Sequence, residues 1–438
     1  MKITFIRPNI GSKDHRQYAP SDNLEPLALA ILAGLTPKDD EITLFDDRIE
    51  EIDYNYPADL VAITVTTHTA RRAYQIAGQF RQRGIPVVMG GVHPSLLPEE
   101  ASRYADAVVV GEAENTWPLV LEDAKTHRLK PLYRAEELPR LEGLKPDRSI
   151  FAHKPYLPVS IVEFSRGCPH TCEFCSGAVL FQRKIRHRPH REVIEEIRNL
   201  PNRYILFADD NLYACKKAAE ELFLALIPLK KKWLTQIHLD FTKDENFIEL
   251  MSRSGCVGVF VGFESLDSKN LGQMNKGGST IHRYQECLAT IRKYGFCIYG
   301  SFLFGYDEDR EETFTETLRF AVKERLFSAA FNHLAPYPGT PLYQRMKNTD
   351  RLLYDSWWNN PGFQYHQFSF RPRHLSPEKM ADLCRKIRRQ FHSCPNILLR
   401  ALDMKTNARN LRNLTLFLTV NFISRRETRG KHGLTFGN

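Results

Sequence analysis

A chain of 438 residues with 42% apolar and 26% charged content has room for two or three domains, each burying its own core. Its formal charge of +9 suits an anionic substrate or an acidic membrane surface, and no helix-turn-helix, zinc-finger or aromatic-ribbon pattern supports a nucleic-acid partner. No uncharged apolar run is long enough to span a bilayer, and residues 1–7 read as a first strand rather than a signal peptide. The nine cysteines are unevenly spaced, which suits metal binding and buried thiols in a reducing, cytoplasmic compartment better than a disulfide framework.

Residues 1–140 repeat strand–helix units. Short, near-continuous apolar runs lie at 3–6, 42–45, 60–65, 86–89 and 107–110, and helical spacing marks 24–35 and 70–83. Such strands predict a parallel sheet covered on both faces, with a ligand crevice beyond the carboxyl ends. Those ends read Thr66-Thr67-His68-Thr69, Gly90-Gly91-Val92-His93-Pro94-Ser95 and Gly111-Glu112-Ala113-Glu114. Glycines allow close backbone approach, and hydroxyls and amides can hold a polar cofactor rim. The same residue types also serve as plain turns and caps, and no G-x-G-x-x-G follows the first strand.

Residues 141–158 carry prolines and glycines with little periodicity and read as a linker. Strand 161–164 then feeds Arg166-Gly167-Cys168-Pro169-His170-Thr171-Cys172-Glu173-Phe174-Cys175, whose C-x3-C-x2-C spacing gathers three thiolates on one loop. Thiolates are soft ligands for iron or zinc. Structural zinc takes four protein ligands, whereas the next cysteine is the distant Cys215. Three ligands on a four-iron cluster leave one iron open; zinc with His170, or chance clustering of thiols, are the alternatives.

More strands are expected at 204–207, 233–239, 257–263, 297–303 and 329–334, followed by polar residues such as Asp209-Asp210-Asn211, Glu264-Ser265 and Asp307. A partial or complete α/β barrel places its chemistry at such ends, although Asp209 and Asp210 would also serve as helix caps. Beyond 345, Tyr354, Trp357, Trp358, Phe363 and Tyr365 belong to an aromatic section that covers the barrel opening or packs between domains. Ser376-Pro377 predicts a helix start, continuing past Phe391 with its basic residues in water. Residues 411–423 are apolar and precede Arg425-Arg426, so this segment docks on the barrel or lies along a membrane surface.

The cysteine loop, with Phe174 before its third cysteine, resembles that of the radical S-adenosylmethionine (SAM) enzymes. The turn from Gly90 to Ser95 and the run Leu24-Glu25-Pro26-Leu27-Ala28-Leu29 resemble the cobalamin-binding subfamily, and the likeness covers roughly residues 1–345. It implies an α/β chain: a Rossmann-like, doubly wound parallel sheet of cobalamin-binding type over 1–140, a radical SAM partial (β/α)6 barrel over 159–345, and a mostly helical extension over 346–438. Cys168, Cys172 and Cys175 would hold a 4Fe–4S cluster whose open iron chelates SAM, with Asp209, Asp210, Glu264 and Ser301 as SAM contacts. The corrin would meet Thr66, Thr67, His68, Thr69, Gly90, Gly91, His93, Ser95, Gly111 and Glu112. No Asp-x-His-x-x-Gly is present, and Asp14-His15 does not replace it, which argues against histidine coordination of cobalt from below.

The implied reaction begins with reductive cleavage of SAM to a 5′-deoxyadenosyl radical that abstracts hydrogen from an unactivated carbon, to which cobalamin delivers a methyl group. The resemblance therefore implies a C-methyltransferase for a hydrophobic or polycyclic small molecule, with an electron donor such as flavodoxin or ferredoxin. Radical oxidation, cyclisation or carbon–carbon coupling is the alternative enzyme, and a non-enzymatic iron–sulfur protein the alternative class.

Overall fold

Two six-stranded sheets, each wholly parallel, position everything else in the chain. They are seen in a computed structural model that describes residues 1–11, 23–276, 280–430 and 433–437, so Asp14-His15 lies outside the described residues. The first sheet contains β1 (Lys2–Arg7), β2 (Glu41–Asp46), β3 (Leu60–Thr64), β4 (Val87–Gly90), β5 (Ala107–Val110) and β6 (Leu132–Arg134), in the order β2-β1-β3-β4-β5-β6. Successive strand residues point to opposite faces. Phe5 and Ala62 therefore join Leu29, Ala33 and Trp117 on one side, while Ile6 and Ile63 join Ala73 and Phe80 on the other. Strand β6 has three residues, too short a run to show in the apolar pattern.

The second sheet begins with β7 (Val159–Val162). A short antiparallel ribbon follows, formed by β8 (Ser165–Arg166) and β9 (Arg186–His187) on either side of the cysteine loop. The sheet continues with β10 (Tyr204–Phe207), β11 (Lys232–Gln236), β12 (Cys256–Glu264), β13 (Cys297–Phe304) and β14 (Ser328–His333). Its order is β14-β13-β12-β11-β10-β7. Alternation along β13 is complete: Ile298, Gly300, Phe302 and Phe304 are buried, while Tyr299, Ser301 and Leu303 are partly open. The buried set packs with Phe263, Tyr284 and Phe320 under the helices, each such aromatic contributing about 1.5–3 kcal/mol by burial. The open set shares its face with Phe260, whose ring lies 5.0 Å from that of Tyr299. The fold class is the expected one.

The segment 141–158 does not behave as a free tether. Leu141 and Leu144 are buried against Ile31, Asp147 N–H donates to Ala30 C=O at 2.8 Å, and Arg148 pairs with Glu25 and Glu196 at 2.6 and 2.7 Å. The aromatic section also differs from a barrel cover. Trp357, Trp358, Phe363 and Phe436 are buried in the amino-terminal core around helix Ala70–Gln82, bridging the domains. Helix Pro377–Phe391 starts at the expected cap, with Ser376 Oγ accepting Lys379 N–H at 3.2 Å, but it ends at Phe391. Pro395 has no N–H and its ring would clash with the carbonyl of Phe391, so a new helix, Cys394–Ala401, begins instead. Arg388 does not face water: it donates to Phe331 C=O at 2.8 Å and contacts His333 Nδ1 at 2.7 Å.

His68 sits among the rings of Tyr337, Trp357, Tyr365 and Phe436, at centroid distances of 5.7, 5.3, 5.9 and 5.7 Å. Burial pushes its pKa down to about 4. Between that value and the usual histidine range the unfolded chain binds a proton that the folded chain refuses, so stability from this site is lost as pH falls. The urea midpoint should drop between pH ~6.5 and ~4, and His68→Phe should flatten that drop.

Candidate active site

Cys168, Cys172 and Cys175 are free, partly exposed thiols on the loop between β8 and helix Ser176–Leu180. The loop is shaped from below. Gly167 has φ +93°, and a Cβ there would lie 2.2 Å from Lys184 C=O, so only glycine leads the chain into Cys168. Asp210 accepts Gly167 N–H at 2.8 Å, and Asp209 accepts Phe164 N–H at 3.1 Å and Ser165 N–H at 2.5 Å. Burial pushes the Asp209 carboxyl up to about 7 against the pull of those donors. Both oxygens of Asp209 accept from the entry to the loop, so this carboxyl braces the segment that leads into the cysteines. Asn211 Nδ2 lies 3.9 Å from Cys168 Sγ, and Glu173 ties the far side of the loop to Arg345 at 2.6 Å.

These residues fit an iron–sulfur cluster. Burial pushes the Cys172 thiol up to about 11, so its thiolate form requires a cationic centre to hold it. His170 packs its ring 4.0 Å from that of His238, and His238 Nδ1 lies 2.9 Å from Asp240 Oδ2, so this histidine groups with His238 and Asp240. Farther along the sheet, the register shifts between Gly262 and Glu264, and Glu264 closes β12 at φ +63°. Its carboxylate accepts from Lys276 Nζ at 2.8 Å, and the same ammonium donates to Gly262 C=O at 2.7 Å. Ser301 Oγ, on the open face of β13, accepts from Asn332 Nδ2 at 3.2 Å.

The rim of the first sheet divides in two. Thr66, His68, Thr69, Gly90, Gly91, Ser95 and Gly111 keep at least partial exposure, and Thr66 and Thr69 cap each other across the turn. Ser95 Oγ donates to Gly91 C=O at 2.7 Å and accepts Gly111 N–H at 2.8 Å, joining two of the loops. Gly111 has φ +83° with open space where a Cβ would point, a backbone that a flat ligand can approach. Thr67 and His93 are buried instead. His93 Nε2 lies 3.0 Å from Tyr74 Oη and 3.3 Å from Glu100, under Trp358, and its Nδ1 lies 3.4 Å from Thr67 Oγ1.

Glu112 joins the two domains. One of its oxygens meets Arg166 Nη1 at 2.5 Å, and the other meets Arg186 Nη2 at 2.5 Å. Arg166 also pairs with Glu114 at 2.6 Å and Glu163 at 2.8 Å. Burial alone would lower the guanidinium pKa, but Glu163, Glu114 and Glu112 outweigh it and hold the charge firmly. Glu112 therefore locks the loop after β5 to the cysteine loop.

Residues 162–321 match the Radical SAM superfamily, and residues 23–121 match the B12 binding domain. A bacteriochlorophyllide d C-12(1)-methyltransferase of Chlorobaculum tepidum is 31% identical over 388 residues, spanning 86% of this chain and 84% of that one. The chain belongs to the cobalamin-binding radical SAM enzymes. A bacteriochlorophyllide d C-8(2)-methyltransferase of the same organism is 30% identical over 76% of this radical SAM enzyme and 79% of its own length. The structure of the radical SAM methyltransferase TsrM from Kitasatospora setae shares the fold, with a TM-score of 0.64, 17% identity, and coverage of 89% of this chain and 81% of that one. Membership brings the family's cofactors, a 4Fe–4S cluster, SAM and cobalamin, and sets aside the zinc and non-enzymatic readings.

Arg166, Arg186, Lys276, Asn211 and Arg345 were not singled out as site residues in the sequence. Their partners lie on other strands or in the other domain, and charge alone does not reveal them. Gly167→Ala should abolish most iron uptake on reconstitution while the far-UV circular dichroism of the enzyme is retained. Arg166→Met, which leaves Glu114 and Glu163 without this partner and Glu112 with Arg186 alone, should cost about 3–5 kcal/mol in urea unfolding.

Proposed function

We propose that this radical SAM enzyme is a cobalamin-dependent C-methyltransferase acting on a hydrophobic, polycyclic small molecule, with a chlorophyllide-type tetrapyrrole as the first substrate to test. The observation that carries the reading is the joint made by Glu112, Arg166 and Arg186, which ties the rim of the B12-type sheet to the cysteine loop. A methyl carrier and a radical source must face one substrate, and this joint keeps their two loops in fixed register. The 31% identity to a bacteriochlorophyllide methyltransferase supports the same chemistry and a flat macrocyclic acceptor.

Cys168, Cys172 and Cys175 are assigned to the cluster, and Asp210, Glu264 and Ser301 to SAM. Thr66, His68, Thr69, Gly90, Gly91, Ser95 and Gly111 are assigned to the corrin. When bound, these groups supply an electron for SAM cleavage and a methyl group for transfer; the protein supplies alignment and keeps competing reactions out. Lys276 orients the Glu264 carboxylate by its 2.8 Å contact. Phe260, Tyr299 and Leu303 offer an apolar, aromatic wall on the open side of the sheet, suited to a planar acceptor. A flavodoxin or ferredoxin is assigned as electron donor.

The test is anaerobic reconstitution with cluster and corrin, elemental analysis, and incubation with SAM, a one-electron reductant and a chlorophyllide acceptor. The expected result is about four irons and about one cobalt per chain, with a product heavier by one methylene. Cys168→Ala should lose the product and most of the iron. Four irons without cobalt, with SAM still cleaved, would overturn methyl transfer and direct attention to radical oxidation, cyclisation or coupling.

A further inference from the structure

The last two helices bury polar side chains beside Ile397 and Phe417 and leave many apolar ones outside. In Cys394–Ala401, Arg400 is 0% exposed while Leu398 and Leu399 are 63% and 51% exposed, and Leu402 and Met404 just beyond are equally open. Arg400 is held inside by the carbonyls of Leu326, Phe327 and Phe391 at 3.0–3.1 Å and by Asn421 Oδ1 at 2.8 Å. Asn421 belongs to helix Leu411–Gly430, and it too is fully buried. Along that helix Leu411, Thr415, Leu416, Thr419, Phe422, Ile423 and Arg426 recur at helical spacing on the outward face. Of the fifteen large apolar side chains left exposed among the described residues, eight fall between 398 and 423. So dense an exposed set marks an interaction surface.

Beside this face lies a cavity of about 650 Å³ between helices Pro377–Phe391 and Leu411–Gly430. It is lined by Arg385, Lys386, Arg389, Arg425 and His392, and by a lone carboxylate, Asp382, which is paired with Arg385. Lys386 and Arg389 pair with no carboxylate among the described residues. His392 is 5% exposed, and its Nδ1 has no hydrogen-bond partner. Arg412 and Arg426 add positive charge to the outward face of the neighbouring helix. Apolar side chains fringed by cations match the boundary between acyl chains and anionic headgroups.

We propose that residues 385–426 dock the enzyme on an anionic lipid bilayer, with Leu398, Leu402, Phe422 and Ile423 entering the interface and the basic cavity taking a lipid phosphate. Among the described residues no helix is long and apolar enough to cross a membrane, so the contact is peripheral. Charge selects a bilayer over a second copy of the chain, because a self-paired face would bring two cationic rims together. The inference stands independently of the methyl-transfer reading.

The full-length reconstituted enzyme is floated with vesicles of phosphatidylcholine alone or of phosphatidylcholine with phosphatidylglycerol. Binding should be confined to the phosphatidylglycerol vesicles and fall steeply with added salt. Lys386→Gln with Arg389→Gln should weaken it about thirtyfold, since each cation near the surface is worth about fivefold. Phe422→Ser with Ile423→Ser should abolish it, while thermal unfolding and SAM cleavage stay at wild-type levels. Equal binding to both vesicle types, or none to either, would overturn the proposal. So would a concentration-dependent dimer that is dissolved by Phe422→Ser, which would assign the face to a second copy. The salt titration on the wild-type chain decides the matter even if a variant misfolds.

Discussion

A buried guanidinium holds this enzyme together. Arg166 stands one residue before Gly167 and takes up Glu163 from the link between β7 and β8 together with Glu112 and Glu114 from the loop after β5. Three carboxylates in a closed space would repel one another and lose their hydration; the guanidinium, supported by Arg186 on Glu112, removes both penalties through paired, charge-assisted contacts. Because its donors form a rigid planar fork, the contacts define an angle as well as a distance. The loop after β5 and the cysteine loop are therefore oriented by the same side chain.

Around that joint, many strand-end polar groups act on protein and few are left for ligand. Asp209 and Asp210 accept backbone N–H groups from the entry to the cysteine loop, and Glu173 anchors its far side on Arg345. Ser95 stitches two rim loops together, and His93 joins Tyr74 and Glu100 beneath Trp358. Loops that must present thiolates and a corrin rim at fixed positions need their own backbone groups satisfied first.

The carboxyl-terminal region connects the layers in two ways. Its aromatic section and Phe436 fill the amino-terminal core, whereas its last helices pack at the edge of the barrel through Arg400, Asn407 and Asn421. The second contact rests on polar groups answering backbone carbonyls, which frees the apolar side chains of the same helices to face outward. Buried polar groups beside Ile397 and Phe417, with apolar side chains exposed, depart from the usual pattern for a surface helix, and both features belong to one arrangement.

Local pattern was sufficient for much of the architecture. Runs such as 204–207 and 107–110 coincide with observed strands because a parallel strand buried on both faces leaves an unbroken apolar signature, and three closely spaced cysteines with Phe174 carry the cluster loop in the primary sequence. Strand β6 escaped because three residues show no period, and the helix after Pro377 was read too long because the apolar spacing hides the break that Pro395 makes. In the sequence, Glu112, Asp209, His93 and Ser301 all read as polar cofactor contacts, two for the corrin and two for SAM. Only the tertiary structure separated them: the first three are spent on Arg166, the cysteine loop and Tyr74, whereas Ser301 stays on the open face. A carboxylate's role depends on which cation or N–H group reaches it first, and those partners arrive from strands and domains far away in the chain.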